Sequence, residues 1–243
     1  MAEAPTARVE APPEEDAALH AASVALDQAG PDAILDWLFQ RYPTGISLAS
    51  AFGNTSDIVL MDMVAKRGPG TEVFYLDTDF LFDETYQLIE RARAFWPQLD
   101  FQLYRTPLSP AQQAIEYGET LWSREPDLCC DIRKVRPIHE ALSGKRAWIT
   151  GVRRDQSAAR ANTAAVQWDA KFGLAKANPL VTWSEKEAWS YIFAHGLPYN
   201  PLFDRGFPTV GCTHCTRAVK PGEDQRAGRW SDSDKVECGL HTA

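Results

Sequence analysis

The sequence has no run of apolar residues approaching the roughly 20 that a membrane-spanning helix needs. It has no basic, apolar start, so its first residues do not read as a secretory signal. Met1 to about Asp16, mostly Ala, Pro and Glu, reads instead as a disordered leader. A basic surplus is also missing. The 25 Lys and Arg face 33 Asp and Glu, and the net charge of −8 argues against a nucleic-acid partner. There is no Gly-Lys-Ser/Thr of a nucleoside-triphosphate loop, no Gly-x-Gly-x-x-Gly of a dinucleotide loop, and no internal repeat. These absences leave a cytoplasmic protein without a membrane partner as the expectation, in a compartment where thiols stay reduced. The five cysteines then point to metal binding or catalysis rather than disulfides. Buried core thiols are the plainer alternative. The oligomeric state is not set, and a homo-oligomer is compatible with the sequence.

What is present is the material of an α/β domain. The chain has 243 residues, 44% of them hydrophobic, with eight Trp to bury. Helical patterns run from about Ala17 to Asp27 and, after a Gly30-Pro31 break, from Asp32 to Arg41. The short apolar run Gly45 to Ser50 has strand length, the polar loop Phe52 to Ser56 follows, and the periodicity then predicts a helix over Asp57 to Lys66. Gly68-Pro69-Gly70 ends that helix. Further strands are expected at Glu72–Leu76, Phe101–Tyr104 and Ala147–Thr150, with a helix from Asp83 to Phe95. Ser184 to Glu187 reads as a capping box for a helix to about His195, with Trp189, Ile192 and Phe193 on one face. Alternating strands and helices imply a mostly parallel sheet flanked by helices. Ligands bind beyond the carboxyl ends of such strands, so the loops after Ser50, Leu76 and Thr150 should share one pocket. The expected division is a leader over 1–16, a nucleotide-binding domain over 17–200, and a loop-rich C-terminal arm over 201–243.

Four of the cysteines form two pairs. Cys212 and Cys215 are a C-x-x-C, and Cys129 and Cys130 are adjacent. Four thiolates suit either tetrahedral zinc or a 4Fe–4S cluster, and spacing alone leaves both open. Asp131-Ile-Arg-Lys-Val-Arg136 follows the adjacent pair, and Arg217 follows Cys215. Those cations would offset the negative charge of a thiolate-bound cluster, although a solvated basic helix face is the commoner meaning of such a run. Cys238 stands apart beside Gly239, where a thiol could visit a substrate and then a redox partner.

Two arginine groups stand out in this acidic chain. Gly151-Val-Arg-Arg-Asp-Gln-Ser157, with Arg160 just beyond, follows the predicted fourth strand, and Gln225-Arg-Ala-Gly-Arg-Trp230 precedes Cys238. Guanidinium forks bind phosphate and sulfate oxygens bidentately, so an anionic ligand is indicated. Surface ion pairs are the ordinary alternative for any one of them. The segment Ser47 to Gly53, between a strand and a helix, also suits an anion.

Together these segments resemble the sulfonucleotide reductases, and among them the bacterial adenylyl-sulfate reductases. The resemblance covers about Gly45 to His241. It rests on Cys129-Cys130 with Ile-Arg-Lys, Gly151 to Ser157, Gly211-Cys-Thr-His-Cys215, Arg226 to Trp230, and Glu237-Cys-Gly-Leu-His241. It implies an adenine-nucleotide α-hydrolase-like fold. Cys129, Cys130, Cys212 and Cys215 would hold a 4Fe–4S cluster, and Cys238 would be the nucleophile. Lys134 would lie between cluster and substrate. Arg153, Arg154, Arg226 and Arg229 would grip the phosphosulfate, and Ser50 with Leu76, Asp77 and Thr78 would hold the adenosine. The implied reaction is reduction of adenylyl sulfate to sulfite and AMP in sulfate assimilation, with thioredoxin as reductant and a cysteine S-sulfonate between. The chain departs from the family at Asp79, where glycine is usual. The 3′-phosphorylated nucleotide is the nearest rival substrate. A tRNA-thiolation-type adenylyl transferase and a non-catalytic zinc-stapled nucleotide-binding module are the more distant rivals.

Overall fold

Five short strands run parallel, the first four joined in turn by helical crossovers and the fifth reached through an antiparallel edge strand. The computed structural model describes residues 8–231 and Lys235. Helix α1 (Pro13–Leu26) and helix α2 (Gly30–Arg41) precede strand β1 (Ile46–Ser50). Helix α3 (Thr55–Arg67), strand β2 (Glu72–Leu76), helix α4 (Asp83–Phe95) and strand β3 (Asp100–Tyr104) follow. Four short helices come next: α5 (Pro110–Tyr117), α6 (Leu121–Arg124), α7 (Pro126–Cys130) and α8 (Arg136–Leu142). Strands β4 (Ala147–Ile149), β5 (Val166–Asp169) and β6 (Leu174–Ala177) and helix α9 (Glu185–Ala194) complete the order. No helix among the described residues is long and apolar enough to cross a membrane.

The sheet order is β3-β2-β1-β4-β6-β5, and only β5 runs antiparallel, against β6. The chain builds outward from β1 through β2 to β3, then restarts on the other side of β1 with β4. That reversal leaves a crevice at the carboxyl ends of β1 and β4. Leu48, Val73, Phe74, Trp148 and Ile149 are all buried, as a sheet covered on both faces requires. Helix α3 is buried along most of its length and lies against the sheet and α9. Its N-cap is Asn54, whose side chain accepts the Asp57 N–H at 3.0 Å.

Several boundaries differ from those expected. Helix α1 begins at Pro13, and the Val9 N–H donates to the Ala170 carbonyl at 2.7 Å. The leader therefore does not stay free as far as Asp16. Pro31 opens α2 instead of breaking it, because its missing N–H would be unpaired in a first turn anyway. The capping box at Ser184 and Glu187 is present with both reciprocal bonds. Ile192 is buried on the face expected of α9, whereas Phe193 is 65% exposed.

The helix carrying the adjacent cysteines has an unusual middle. Between α7 and α8 the backbone makes one π turn, Asp131–Val135, and the Arg136 N–H reaches back to the Asp131 carbonyl. Pro137 supplies the cause. It has no N–H, and its ring crowds the carbonyl four residues back, so the α-helical bond to Arg133 is impossible. The wide turn re-aims Arg133 and Lys134 relative to a regular helix.

After α9 the chain crosses the carboxyl edge of the sheet. Val210 N–H bonds the Gly53 carbonyl and Thr213 N–H bonds the Phe80 carbonyl, each at 2.8 Å, and Leu81 forms an antiparallel bridge with Cys212. Backbone bonds to the loops after β1 and β2 thus hold this arm in place. A Cβ on Gly53 would sit 2.0 Å from the Val210 oxygen, so only glycine permits the approach.

Candidate active site

The loops after β1, β2 and β4 do share one cavity, with the crossing arm as its lid. It is an open cleft at the carboxyl ends of β1, β2 and β4, the place where ligands bind in such sheets. Its apolar floor comes from Ala49, Phe74, Leu76, Ile138 and Trp148. Its rim carries Lys134, Arg160, Arg226 and Arg229. The Arg229 guanidinium lies 4.5 Å from the Trp230 ring centroid, and its buried Nε has no hydrogen-bond partner among the described residues.

The expected site residues divide. Ser50, Leu76, Thr78, Lys134, Arg153, Arg226 and Arg229 line the cavity, whereas Asp77 and Arg154 do not. The Asp77 carboxylate accepts the Asp79 N–H at 2.8 Å and the Tyr86 hydroxyl at 2.7 Å, so it shapes its own loop. Arg154 turns away, donating to the Thr163 carbonyl and to Asp27 at the end of α1. Arg153 reaches the cavity wall with every donor engaged. Its Nε and Nη2 meet Asp155, Nη2 also meets Glu185, and Nη1 bonds the Thr55 and Ser56 hydroxyls. A guanidinium has five N–H groups, and none is left here for a substrate oxygen. Arg160, noted in the sequence only as a neighbour of the arginine pair, stands on the rim in their place. Cys238 lies outside the described residues. Lys235, three positions before it, bonds Asp127 at the start of α7.

The start of α3 is already occupied. Asp57 accepts the Ala51 N–H at 2.9 Å, and the Phe52 and Gly53 N–H groups also favour its charge. Burial nevertheless dominates and pushes its carboxyl up to about 6. The unfolded chain would ionise it near 3.8. The protonated form is thus preferred by the folded state. That preference stabilises the protein fully below the unfolded value and is lost as pH rises through about 6. Roughly two units correspond to ~3 kcal/mol. Asp57→Asn is expected to flatten stability between pH 4 and 6 in urea titrations. An unchanged pH profile would remove Asp57 as its source.

The four paired cysteines lie near one another beside the cavity. Cys129, Cys130 and Cys212 are buried, Cys215 is partly so, and none of the four is in a disulfide. Burial pushes the Cys129 thiol up to about 11, with Cys130 and Cys212 pushing the same way and Arg133 opposing. Cys215 is pushed to a similar value by burial and by Cys212, with Lys134 opposing. The sulfurs therefore share one neighbourhood, and Lys134, which lines the cavity, is close enough to Cys215 to act on it. The Thr78 hydroxyl, on the cavity side, is 3.3 Å from the Cys212 sulfur. Four thiolates on one zinc ion, at bonds of ~2.3 Å, would stand ~3.8 Å apart. Among the described residues no three His, Cys, Asp or Glu side chains are drawn together enough for a single ion. Four free thiols, three of them buried and with Arg133 and Lys134 nearby, do fit the donor set of a thiolate-bound, negatively charged cluster.

Fold and site together define an α/β protein with a cation-lined crevice at the carboxyl ends of its strands and a group of thiols beside it. The model of the phosphoadenosine phosphosulfate reductase domain matches residues 45–218, and the chain belongs to that family. An adenosine 5′-phosphosulfate reductase of Halalkalibacterium halodurans is 47% identical over 208 residues, covering 86% of this chain and 90% of the relative. A phosphoadenosine 5′-phosphosulfate reductase of Gloeobacter violaceus is also 47% identical, over 87% of this chain and 88% of the relative. Among solved structures, phosphoadenylyl-sulfate reductase of Candida auris in a phosphate complex aligns with a TM-score of 0.72 at 26% identity. It covers 86% of this chain and all of that one. FMN adenylyltransferase of Candida glabrata aligns with a TM-score of 0.58 at 15% identity over 94% of this chain and 79% of that one, a likeness of fold alone.

Proposed function

We propose that the protein reduces adenylyl sulfate to sulfite and AMP, in sulfate assimilation, with a thioredoxin-type dithiol as reductant. The observation that carries this is the convergence of Lys134, Arg160, Arg226 and Arg229 on one crevice, with four free thiols grouped beside it. A phosphosulfate is a compact polyanion, and such a rim would neutralise it. The apolar floor between Phe74 and Trp148 suits a purine face.

In this reading the Cys238 thiolate attacks the sulfate sulfur. The new S–S bond forms as the S–O bond to the phosphate breaks, and AMP leaves with the electron pair. Cys238 then carries an S-sulfonate. A thiolate of the partner attacks the Cys238 sulfur, sulfite departs, and a mixed disulfide remains. The partner's second thiol closes its own disulfide and returns Cys238 as a thiolate, so two electrons come from the dithiol. Cys129, Cys130, Cys212 and Cys215 would hold a 4Fe–4S cluster, whose contribution when bound is charge and bracing at the pocket wall. Lys134 and the arginines orient the phosphosulfate and favour the attacking thiolate.

The Gloeobacter relative favours a second substrate, the 3′-phosphorylated nucleotide. Sulfite release measured with each nucleotide decides between them. Higher kcat/KM for adenylyl sulfate is the expected result, and the reverse order reassigns the substrate. The placement of the arginines makes a further test. Arg160→Ala should lower kcat/KM on the order of 100-fold, as loss of a positioned charge does. Arg154→Ala, which removes a contact remote from the cavity, should change it less than about threefold. Equal losses in both would return Arg154 to the site.

A further inference from the structure

Asp79 holds a backbone conformation that glycine adopts more easily. Its φ is +58°, in the left-handed region that side chains other than Asn and Asp rarely enter. The carboxylate reaches 2.8 Å to Nη1 of Arg133. Arg133 is only 1% exposed, and Asp79 is the one carboxylate paired with it among the described residues. A guanidinium so buried is costly unless its charge is matched.

The other contacts of Arg133 tie three segments together. Nε donates to Gln113 at 2.7 Å, Nη1 to the Thr78 carbonyl at 2.9 Å, and Nη2 to the Leu108 carbonyl at 3.4 Å. The guanidinium also lies 4.5 Å from the Phe80 ring centroid. Two of these partners touch sulfur. Gln113 Nε2 is 3.9 Å from Cys129 Sγ, and Thr78 Oγ1 is 3.3 Å from Cys212 Sγ. Arg133 thus sits between contacts to cysteines from two separate segments, and its backbone belongs to the π turn that follows Cys130.

We propose that Asp79 is a positioning residue. It holds Arg133 against the loop after β2 and cancels that buried charge, so that it sets the electrostatic surroundings of the four cysteines and couples them to the nucleotide loop. A glycine would keep the turn and give up both effects. The redox part of this proposal rests on the iron–sulfur reading, and the nucleotide part does not.

The test uses the loaded full chain as wild type, Asp79→Asn and Asp79→Gly. Asparagine tolerates the left-handed turn and removes the charge, and glycine removes the charge with no backbone strain. The midpoint potential is titrated with visible absorption as readout, and AMP affinity is measured by calorimetry. With Arg133 uncompensated, the more negative reduced state is favoured, so both variants should show a raised potential. Both should also bind AMP about fivefold or more weakly, the lower end of ordinary site-to-site coupling. Equal shifts in the two variants support charge as the cause. A shift in the glycine variant alone would show a backbone effect, a shift in the asparagine variant alone an effect of the amide, and either would overturn the proposal. So would an unchanged potential in both, and unchanged AMP affinity in both would overturn the coupling. A wild-type protein that holds no iron refutes the iron–sulfur reading, and the AMP measurement then still decides whether Asp79 acts on the nucleotide loop.

Discussion

Replacing Cys238 with serine is expected to abolish sulfite release, by on the order of 10⁴-fold or more, with AMP affinity retained. A hydroxyl is a far poorer nucleophile than a thiolate at neutral pH, and an S-sulfonate cannot form on oxygen. Among the described residues, the crevice's cations and apolar floor come from β1, β2, β4, Arg160, the π turn, Ile138 and residues 208–230. Binding and chemistry should therefore separate cleanly. Turnover surviving in the serine variant would move the nucleophile to another thiol, and Cys215, the least buried of the four described, would be the one to test.

Arg153→Met should be the most destabilising substitution at the site, by ~3–5 kcal/mol in urea unfolding. The guanidinium is buried and its donors meet two carboxylates and two hydroxyls. Removing it leaves Asp155 and Glu185 facing each other without a cation. Asp155 also accepts the Glu185 N–H at 2.7 Å, so the start of α9 loses its fixed point. The alternative is that Arg153 exchanges a carboxylate for the substrate's anionic group. In that case the variant would lose less than ~1 kcal/mol of stability and much more of its affinity for adenylyl sulfate.

The sheet was legible in the sequence because its strands are short apolar runs bounded by turn residues. Glu72–Leu76 and the helix from Asp83 fall where expected. The shared pocket followed from strand alternation alone. The region from Pro110 to Leu142 was not legible. Its helices are short, proline-interrupted and partly charged, and their periodicity is too brief to register. The basic run after Cys130 left a cluster-facing role and a solvated face both open, and its Arg133 is buried by partners distant in sequence. Strands β5 and β6 were missed because Leu174-Ala-Lys-Ala has little intrinsic strand preference and pairs through its tertiary setting. Sequence shows which cations are present, and the fold shows their partners: Arg153 lines the cavity paired with Asp155 and Glu185, and Arg154 pairs with Asp27. The bonds of Asp77 to the Asp79 N–H and the Tyr86 hydroxyl were likewise not legible in the sequence.

The central claim is a thiol that takes sulfonate from a nucleotide beside a four-cysteine cluster. The most direct measurement is to purify the protein without oxygen, assay iron and sulfide, add adenylyl sulfate and weigh the intact chain. The account predicts a brown protein with about four iron and four sulfide per chain, and a gain of ~80 Da confined to Cys238. A colourless protein that binds zinc and gains no mass would contradict it and leave a nucleotide-binding module stapled by its cysteines.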